Sequence, residues 1–239
     1  YFAKRPALPV GEEVVHPFEA VHMLGSVPRP GKIVCAVQPR EGRENSGIDS
    51  AGRPRFFAKF PSSVIGPGGE IVKSRHAEKI EPGAVLGVVI GKKCKDVTEE
   101  TALKSVFGFT ILNDITAHGP AFDGNDLSLA KNFDTFCPIG PCMVTPEDLP
   151  EPGNLNLRVW VNGTLSEEHS LSDSMFSVAK LISVLSEVMT LEPGDIVGTG
   201  AQPGELRASR PGLVPGDEVT VEIEGIGRLD NRVVAALPG

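Results

Sequence analysis

The side chains that could carry chemistry are scattered along this chain, and few of them have the spacing of a generic site. There is no GxGxxG after a predicted strand, no phosphate-binding loop, no HExxH and no GxSxG. His118 is a loop histidine of the kind that can titrate near neutral pH. Neither a CxxC pair nor a Cys/His zinc spacing occurs among the cysteines, which are Cys35, Cys94, Cys137 and Cys142. These residues alone indicate an α+β domain whose thiols are reduced and buried.

Residues 38–55 form a long polar segment that contains four arginines and several glycines. A loop of this length inside a compact domain is usually a lid over a site or a disordered segment. We therefore predict a lid loop over 38–55. Arg43 in this loop is a candidate anchor for an anionic substrate, and a solvated surface arginine is the alternative interpretation.

The positions of apolar and turn-forming residues predict a strand-rich α+β domain. The 27 glycines and 21 prolines make up about a fifth of the chain, which is typical of short strands joined by many turns. A hydrophobic content of 40% excludes wholesale disorder. Apolar or alternating runs predict strands at 32–37, 56–59, 84–91, 109–115, 155–161, 219–223 and 228–234, with a hairpin turn at Asn162-Gly163.

Two short helices are predicted among these strands. Asp96 and Glu99 have the spacing of a capping box, which predicts a helix reaching about residue 107. Apolar residues recur at helical spacing over 175–189, which predicts an amphipathic helix that packs one face on the core. Residues 172–174 are the predicted cap of this second helix.

The charge balance argues against two classes of partner. With 23 basic and 31 acidic residues the net charge is −8, and no basic run is present. This composition argues against a nucleic-acid binder and against a polybasic membrane anchor. No run of about 20 apolar residues and no charged-then-apolar leader is found. We therefore expect a cytoplasmic protein with no membrane partner.

Several stretches of the chain, taken together and in order, resemble the fumarylacetoacetate hydrolase family. The resemblance covers about 31–239 and leaves 1–30 as a short N-terminal segment. No single stretch is decisive, but their common order and spacing are highly specific for the fold. The stretches are KIVCAV, FFAKFPSSVIGPGGEI, VLGVVIGKK, VFGFTILNDITA, AKNFDTFCPIGPCMVTPEDL, LNLRVWVNG, TLEPGDIVGTG and PGDEVTVEIEGIGRLDN.

The resemblance implies a mixed β-roll domain that forms a homodimer. It also implies an enzyme that hydrolyses, decarboxylates, hydrates or tautomerises 2-oxo or β-diketo acids. Members of the family usually hold Mg²⁺ or Mn²⁺ with an ExE pair and a later Asp, because hard dications prefer carboxylate oxygens. The ion then chelates the 2-oxo acid and stabilises its enolate, while a His–Glu dyad on the lid loop activates water.

This chain departs from the family pattern at the metal ligands. Gly83 and Val85 stand at the two ExE positions, and Asp114 alone matches the third ligand. Glu81 is the nearest remaining carboxylate along the chain, and Mg²⁺ held by Glu81 and Asp114 is the alternative that we keep open. One carboxylate does not offset the cost of dehydrating Mg²⁺, so we predict no resident metal.

The lid dyad and a neighbouring arginine are also replaced. Arg43 and Ser46 stand at the His and Glu positions of the dyad, and His118 replaces an arginine. The family's TGTP turn here contains Thr199 and Gln202. These substitutions argue against hydrolysis that depends on an activated water.

The remaining polar positions define the predicted site. Lys131 matches a lysine that often faces the substrate, and Lys59 and Thr199 match positions that line or support the pocket. The bland alternatives are a surface lysine for Lys131 and a turn or cap carboxylate for Asp114. The predicted catalytic residues are Lys131, His118, Arg43 and Asp114, and the predicted substrate-binding residues are Lys59, Thr199 and Gln202.

Three functions are compatible with this pattern. The first is an enzyme that acts without a metal on a small keto/enol substrate, by tautomerisation, decarboxylation or cyclisation, as in secondary metabolism; positive charge would stabilise the enolate. The second is a non-catalytic binding or scaffold homologue. The third is an ordinary Mg²⁺-dependent C–C bond hydrolase or decarboxylase of the family, which would require a different register at the ExE positions.

Overall fold

The structure is a computed structural model that describes residues 21–38, 47–122, 127–149, 151–201 and 211–237. Arg43 and Gln202 lie outside these ranges, as does most of the first half of the predicted lid loop. The strands are β1 (Ile33–Ala36), β2 (Phe56–Lys59), β3 (Val64–Ile65), β4 (Glu70–Lys73), β5 (Lys79–Glu81), β6 (Ala84–Ile90), β7 (Val106–Asn113), β8 (Thr116–His118), β9 (Cys137–Val144), β10 (Asn156–Val161), β11 (Thr164–Ser170), β12 (Ile196–Gly198), β13 (Glu218–Ile223) and β14 (Gly227–Ala235). The helices are α1 (Glu99–Ala102), α2 (Leu127–Ala130) and α3 (Val178–Val188).

These strands form two larger sheets and a small pair. The seven-stranded sheet has the order β2-β1-β12-β6-β7-β9-β3, and the five-stranded sheet has the order β11-β10-β13-β14-β4. Strands β5 and β8 pair separately and are antiparallel. Parallel pairs, such as β1 with β12, occur beside antiparallel ones, so both larger sheets are mixed. Within the described ranges, no helix is long and apolar enough to cross a membrane.

The central strands are continuous apolar runs because they are buried on both faces. Every residue of β6 is buried, and β7 beside it is buried from Gly108 to Asn113. The two strands are in register from Ala84 opposite Asn113 to Gly87 opposite Thr110. This pairing fixes the chain immediately after β7, where Asp114 begins the candidate site.

The strand-rich α+β class is confirmed, and the hairpin at Asn162-Gly163 is confirmed in detail. Asn162 and Gly163 have φ values of 51° and 74°, as a type I′ turn between β10 and β11 requires. The helices differ more from the prediction, because α2 was missed and the described residues contain three α-helices rather than two. Its four residues are too few to produce a visible helical period.

The predicted caps of both other helices are wrong. Asp96 has a φ of 53°, a left-handed value that a helical residue does not adopt, and Thr98 is the N-cap of a one-turn α1. The chain then enters β7 at Val106, three residues earlier than predicted. Helix α3 begins at Val178, where the Ser177 hydroxyl accepts a hydrogen bond from the backbone of Lys180.

Asp195 joins the start of β1 to the turn before its parallel neighbour β12. Its carboxylate accepts hydrogen bonds from the backbone amides of Lys32 and Glu192, at 2.9 and 2.7 Å. The Lys32 ammonium lies 2.6 Å from the same buried carboxylate. At Gly31 a Cβ atom would lie 2.8 Å from an Asp195 oxygen, so a larger residue there would displace this carboxylate.

We expect Asp195→Ala to lower the free energy of unfolding by about 3 kcal/mol, because two backbone donors lose a charged acceptor. Denaturant unfolding followed by circular dichroism measures this change. Glu187→Ala, at an exposed position of α3, is the matched control and should change stability by less than about 0.5 kcal/mol. Equal stability of the two variants would contradict this role of Asp195.

Candidate functional site

Asp114 is fixed by the ends of the two central strands. Its backbone amide donates to the Gly83 carbonyl at 2.8 Å. The Asn113 side-chain oxygen accepts from the Gly83 amide at 3.1 Å. Gly83 therefore holds the turn into Asp114 through its main chain, although the resemblance placed it at a metal-ligand position.

The Asp114 carboxylate is enclosed between two ammonium groups. Lys59, the last residue of β2, donates to Oδ1 at 2.9 Å, and Lys131, which follows α2, donates to Oδ2. Lys59 also donates to the main-chain carbonyl of Lys131 at 2.7 Å. All three side chains are almost fully buried. We refer to Lys59, Asp114 and Lys131 as the Asp114 cluster.

The charges of the Asp114 cluster do not cancel. Burial by itself would raise the pKa of Asp114, but the ammonium groups of Lys131 and Lys59 outweigh it and hold this pKa below its ordinary value of 3.8. Asp114 is therefore ionised at neutral pH. Two lysine side chains thus face one carboxylate in this cluster, an arrangement that favours binding of an anion.

Lys131 lies at the wall of a small cavity. The cavity has a volume of about 40 Å³, so it admits a group of only a few atoms. The Lys131 ammonium donates to the Thr116 hydroxyl at 2.7 Å and lies 4.7 Å from the centre of the Phe57 ring. Gln38 and Ala201 also line the cavity. Each of these two adjoins a segment outside the described residues, so this structure places neither Arg43 nor Gln202 relative to the cavity.

His118 lies on the same cavity wall as Lys131. Thr116 and His118 are two residues apart in β8, so their side chains are on the same face of the strand. The Nε2 atom of His118 is 3.0 Å from a Glu81 carboxylate oxygen. The other oxygen of Glu81 is 2.6 Å from the Lys79 ammonium. The structure thus brings together Lys131, His118 and Asp114 of the predicted catalytic residues.

Lys59 and Thr199 contact residues that line the cavity, although they do not line it themselves. Lys59 is enclosed, and three acceptors, on Asp114, Ile115 and Lys131, surround its ammonium group. The Thr199 hydroxyl accepts a hydrogen bond from the Leu86 amide at 3.2 Å, and this residue is not part of the cavity lining. The Thr199 carbonyl accepts from the Gln38 side chain at 2.6 Å, which orients a residue that does line the cavity. Substrate contacts of Lys59 and Thr199 stay predictions.

The described residues do not fit a divalent cation held by several carboxylates. Val85 is buried in an apolar cluster with Cys35 and Cys137, and Glu81 contacts Lys79 and His118. Burial, the largest effect, raises the pKa of Cys137 to about 12, and that of Cys35 also rises, so neither thiol is a thiolate. Within the described ranges, no group of three or more His, Cys, Asp and Glu side chains is arranged to hold a metal.

Comparison with known proteins agrees with this fold. Residues 34–234 match the family model described as fumarylacetoacetate hydrolase, C-terminal, so the chain belongs to the fumarylacetoacetate hydrolase family. The resemblance inferred from the sequence stretches is thereby confirmed. Sequence identity to the human mitochondrial protein named oxaloacetate tautomerase FAHD2A is 35% over 237 residues, which are 97% of this chain and 73% of that protein.

Two solved structures show the same architecture. A 5-carboxymethyl-2-hydroxymuconate delta-isomerase from Mycobacterium smegmatis is 32% identical with a TM-score of 0.80, covering 93% of this chain and 86% of that one. A maleylpyruvate hydrolase from Sphingobium sp. SYK-6, in complex with manganese(II) ion and pyruvate, is 29% identical with a TM-score of 0.74, covering 88% and 72%. The named relatives are thus a tautomerase, an isomerase and a hydrolase.

Sequence reasoning missed the contact between Glu81 and His118 and the part that Thr116 plays. Glu81 is the alternative metal ligand beside Asp114, and in the structure its carboxylate contacts Lys79 and His118. The alternation in the ITAH stretch was a usable signal, because polar residues two positions apart in a strand are on one face. The pairing of β5 with β8 was not visible, since both strands have only three residues.

We expect Asp114→Asn to lower the free energy of unfolding by about 3–5 kcal/mol at neutral pH, because two buried ammonium groups lose their counter-charge. The depressed pKa makes this contribution complete above about pH 4, and it is lost as the pH falls through the folded-state pKa. Denaturant unfolding of both proteins between pH 7 and pH 3 measures the difference. The difference in free energy of unfolding between the two proteins should stay constant down to about pH 4 and become smaller at lower pH.

The double variant Lys59→Met with Asp114→Asn serves as the control, because it removes one cation together with the carboxylate. It should recover part of the lost stability. A single Asp114→Asn variant that is as stable as the parent at pH 7 would contradict the charge balance of the cluster.

Proposed function

We propose that this chain is a keto–enol tautomerase for small 2-oxo acids, and that it uses lysine ammonium groups in place of a resident metal ion. The observation that carries the proposal is that Lys131 lines the cavity while it shares the Asp114 carboxylate with a second lysine, Lys59. The names of two relatives, an oxaloacetate tautomerase and a delta-isomerase, support the reaction class.

Lys131 would stabilise the oxygen that becomes negative in the reaction. Keto–enol conversion passes through an enolate, and its charge must be balanced where water is scarce. An ammonium group that is already fixed by Asp114 and Thr116 needs little reorganisation to balance that charge. Lys59 would share the Asp114 carboxylate with Lys131. Because one carboxylate does not neutralise two cations, Lys131 could still balance the charge of the enolate.

His118 would move the proton. In the direction from enol to keto, the ring takes the proton of the enol O–H bond, and the negative charge stays on the oxygen beside Lys131. The protonated ring then delivers the proton to the α-carbon, where a C–H bond forms. The reaction is an isomerisation, so it needs no water, oxidant or second substrate.

Tautomerisation fits this site better than C–C bond hydrolysis. Hydrolysis needs an activated water, and in this chain Arg43 and Ser46 replace the family's His–Glu dyad. Decarboxylation and ring closure of a diketone pass through the same enolate, and product analysis distinguishes them from tautomerisation.

The test is the enol-to-keto conversion of oxaloacetate, followed by loss of the enol absorbance and by product analysis. We expect Lys131→Met to lower kcat/KM by about 10²–10³-fold, as loss of one preorganised donor does. The fold should persist, because Asp114 keeps Lys59 as its partner. Lys104→Met, at an exposed position, is the control and should leave the rate unchanged.

Three results would contradict the proposal. The first is Lys131→Met activity equal to that of the parent. The second is a parent protein that accelerates neither oxaloacetate tautomerisation nor the tautomerisation of other small 2-oxo acids. The third is a parent protein that binds these acids without turnover, which would favour the non-catalytic alternative.

A further inference from the structure

Glu81 and His118 contact each other across two paired strands. Strands β5 and β8 are antiparallel, with Lys79 opposite His118 and Glu81 opposite Thr116. Glu81 is therefore diagonal to His118, a spacing that long side chains can bridge. The observed 3.0 Å between Glu81 Oε2 and His118 Nε2 is this diagonal contact.

The Glu81 carboxylate is itself held in one orientation. Its Oε1 atom is 2.6 Å from the Lys79 ammonium, so each oxygen faces a different partner. Only about a tenth of the Glu81 side chain is exposed, and the Ile80 carbonyl beside it accepts the Leu213 amide at 2.9 Å. A carboxylate with this little freedom can fix the orientation of the ring that it contacts.

The two active groups line the same cavity. Lys131 donates to Thr116, and His118 follows two residues later on the same face of β8. An enolate oxygen in this cavity would contact the Lys131 ammonium group, with the His118 ring beside it.

We propose that Glu81 is a positioning residue for His118, and that this pair replaces the His–Glu dyad which the family carries on its lid loop. The inference rests on the proposed function and adds the residue through which His118 is held. The carboxylate orients the ring towards the cavity, and it offsets the positive charge that the ring gains when it takes the enol proton. Lys79 would act one step further away, by orienting Glu81.

A double-mutant cycle distinguishes positioning from a merely structural role. We expect Glu81→Gln to lower kcat for oxaloacetate enol-to-keto conversion by about 10–100-fold while KM changes by less than about threefold. In a His118→Asn background the same substitution should have almost no further effect, because the two residues act as one unit. Glu70→Gln, at an exposed position of β4, is the matched control and should leave kcat unchanged.

A second measurement needs no substrate. The ¹⁵N NMR signals of the His118 ring should change in Glu81→Gln and stay the same in Glu70→Gln, because the carboxylate contacts Nε2. Unchanged ring signals, or equal losses from Glu81→Gln with and without His118, would overturn the positioning role. A parent protein without tautomerase activity but with the expected ring signals would overturn the proposed function and leave the contact between the two residues established.

Discussion

Burying an ion costs several kilocalories per mole unless opposite charges and hydrogen bonds replace the water that it loses. Asp114 meets this constraint with two lysines from distant parts of the chain, one at the end of β2 and one after α2. The main chain around the cluster is pinned by the pairing of β6 with β7 and by the bond from Asp114 to Gly83. The residues at the paired ends of β6 and β7 therefore also fix the position of Asp114 in the site.

Two cations around one carboxylate also determine what the site can do. Lys131 lines a cavity of about 40 Å³, and under the proposed function a carboxylate or an enolate oxygen would bind there. The maleylpyruvate hydrolase relative, by contrast, was solved with manganese(II) and pyruvate. In this chain Gly83 and Val85 stand where the family's carboxylates would be, and Val85 packs in an apolar cluster. The chemistry assigned to the ion would pass to Lys131.

Seven of the fourteen strands in the described part of the chain were predicted from apolar or alternating runs, and the fold class and the residues of the Asp114 cluster from the order of the family stretches. The sequence did not predict contacts between residues that are far apart in the chain. The contact between Glu81 and His118 depends on two three-residue strands whose pairing no period reveals. The predicted helix caps are wrong for a different reason, because several neighbouring residues in each region have side chains that can cap a helix.

In the proposed function, ammonium groups rather than a divalent cation balance the charge of the enolate. The decisive measurement is the metal content of the parent and of Asp114→Asn after dialysis against Mn²⁺, by elemental analysis. We expect a substoichiometric amount of manganese that is the same in both proteins. One manganese ion per chain in the parent, lost in Asp114→Asn, would show instead that Asp114 is a metal ligand.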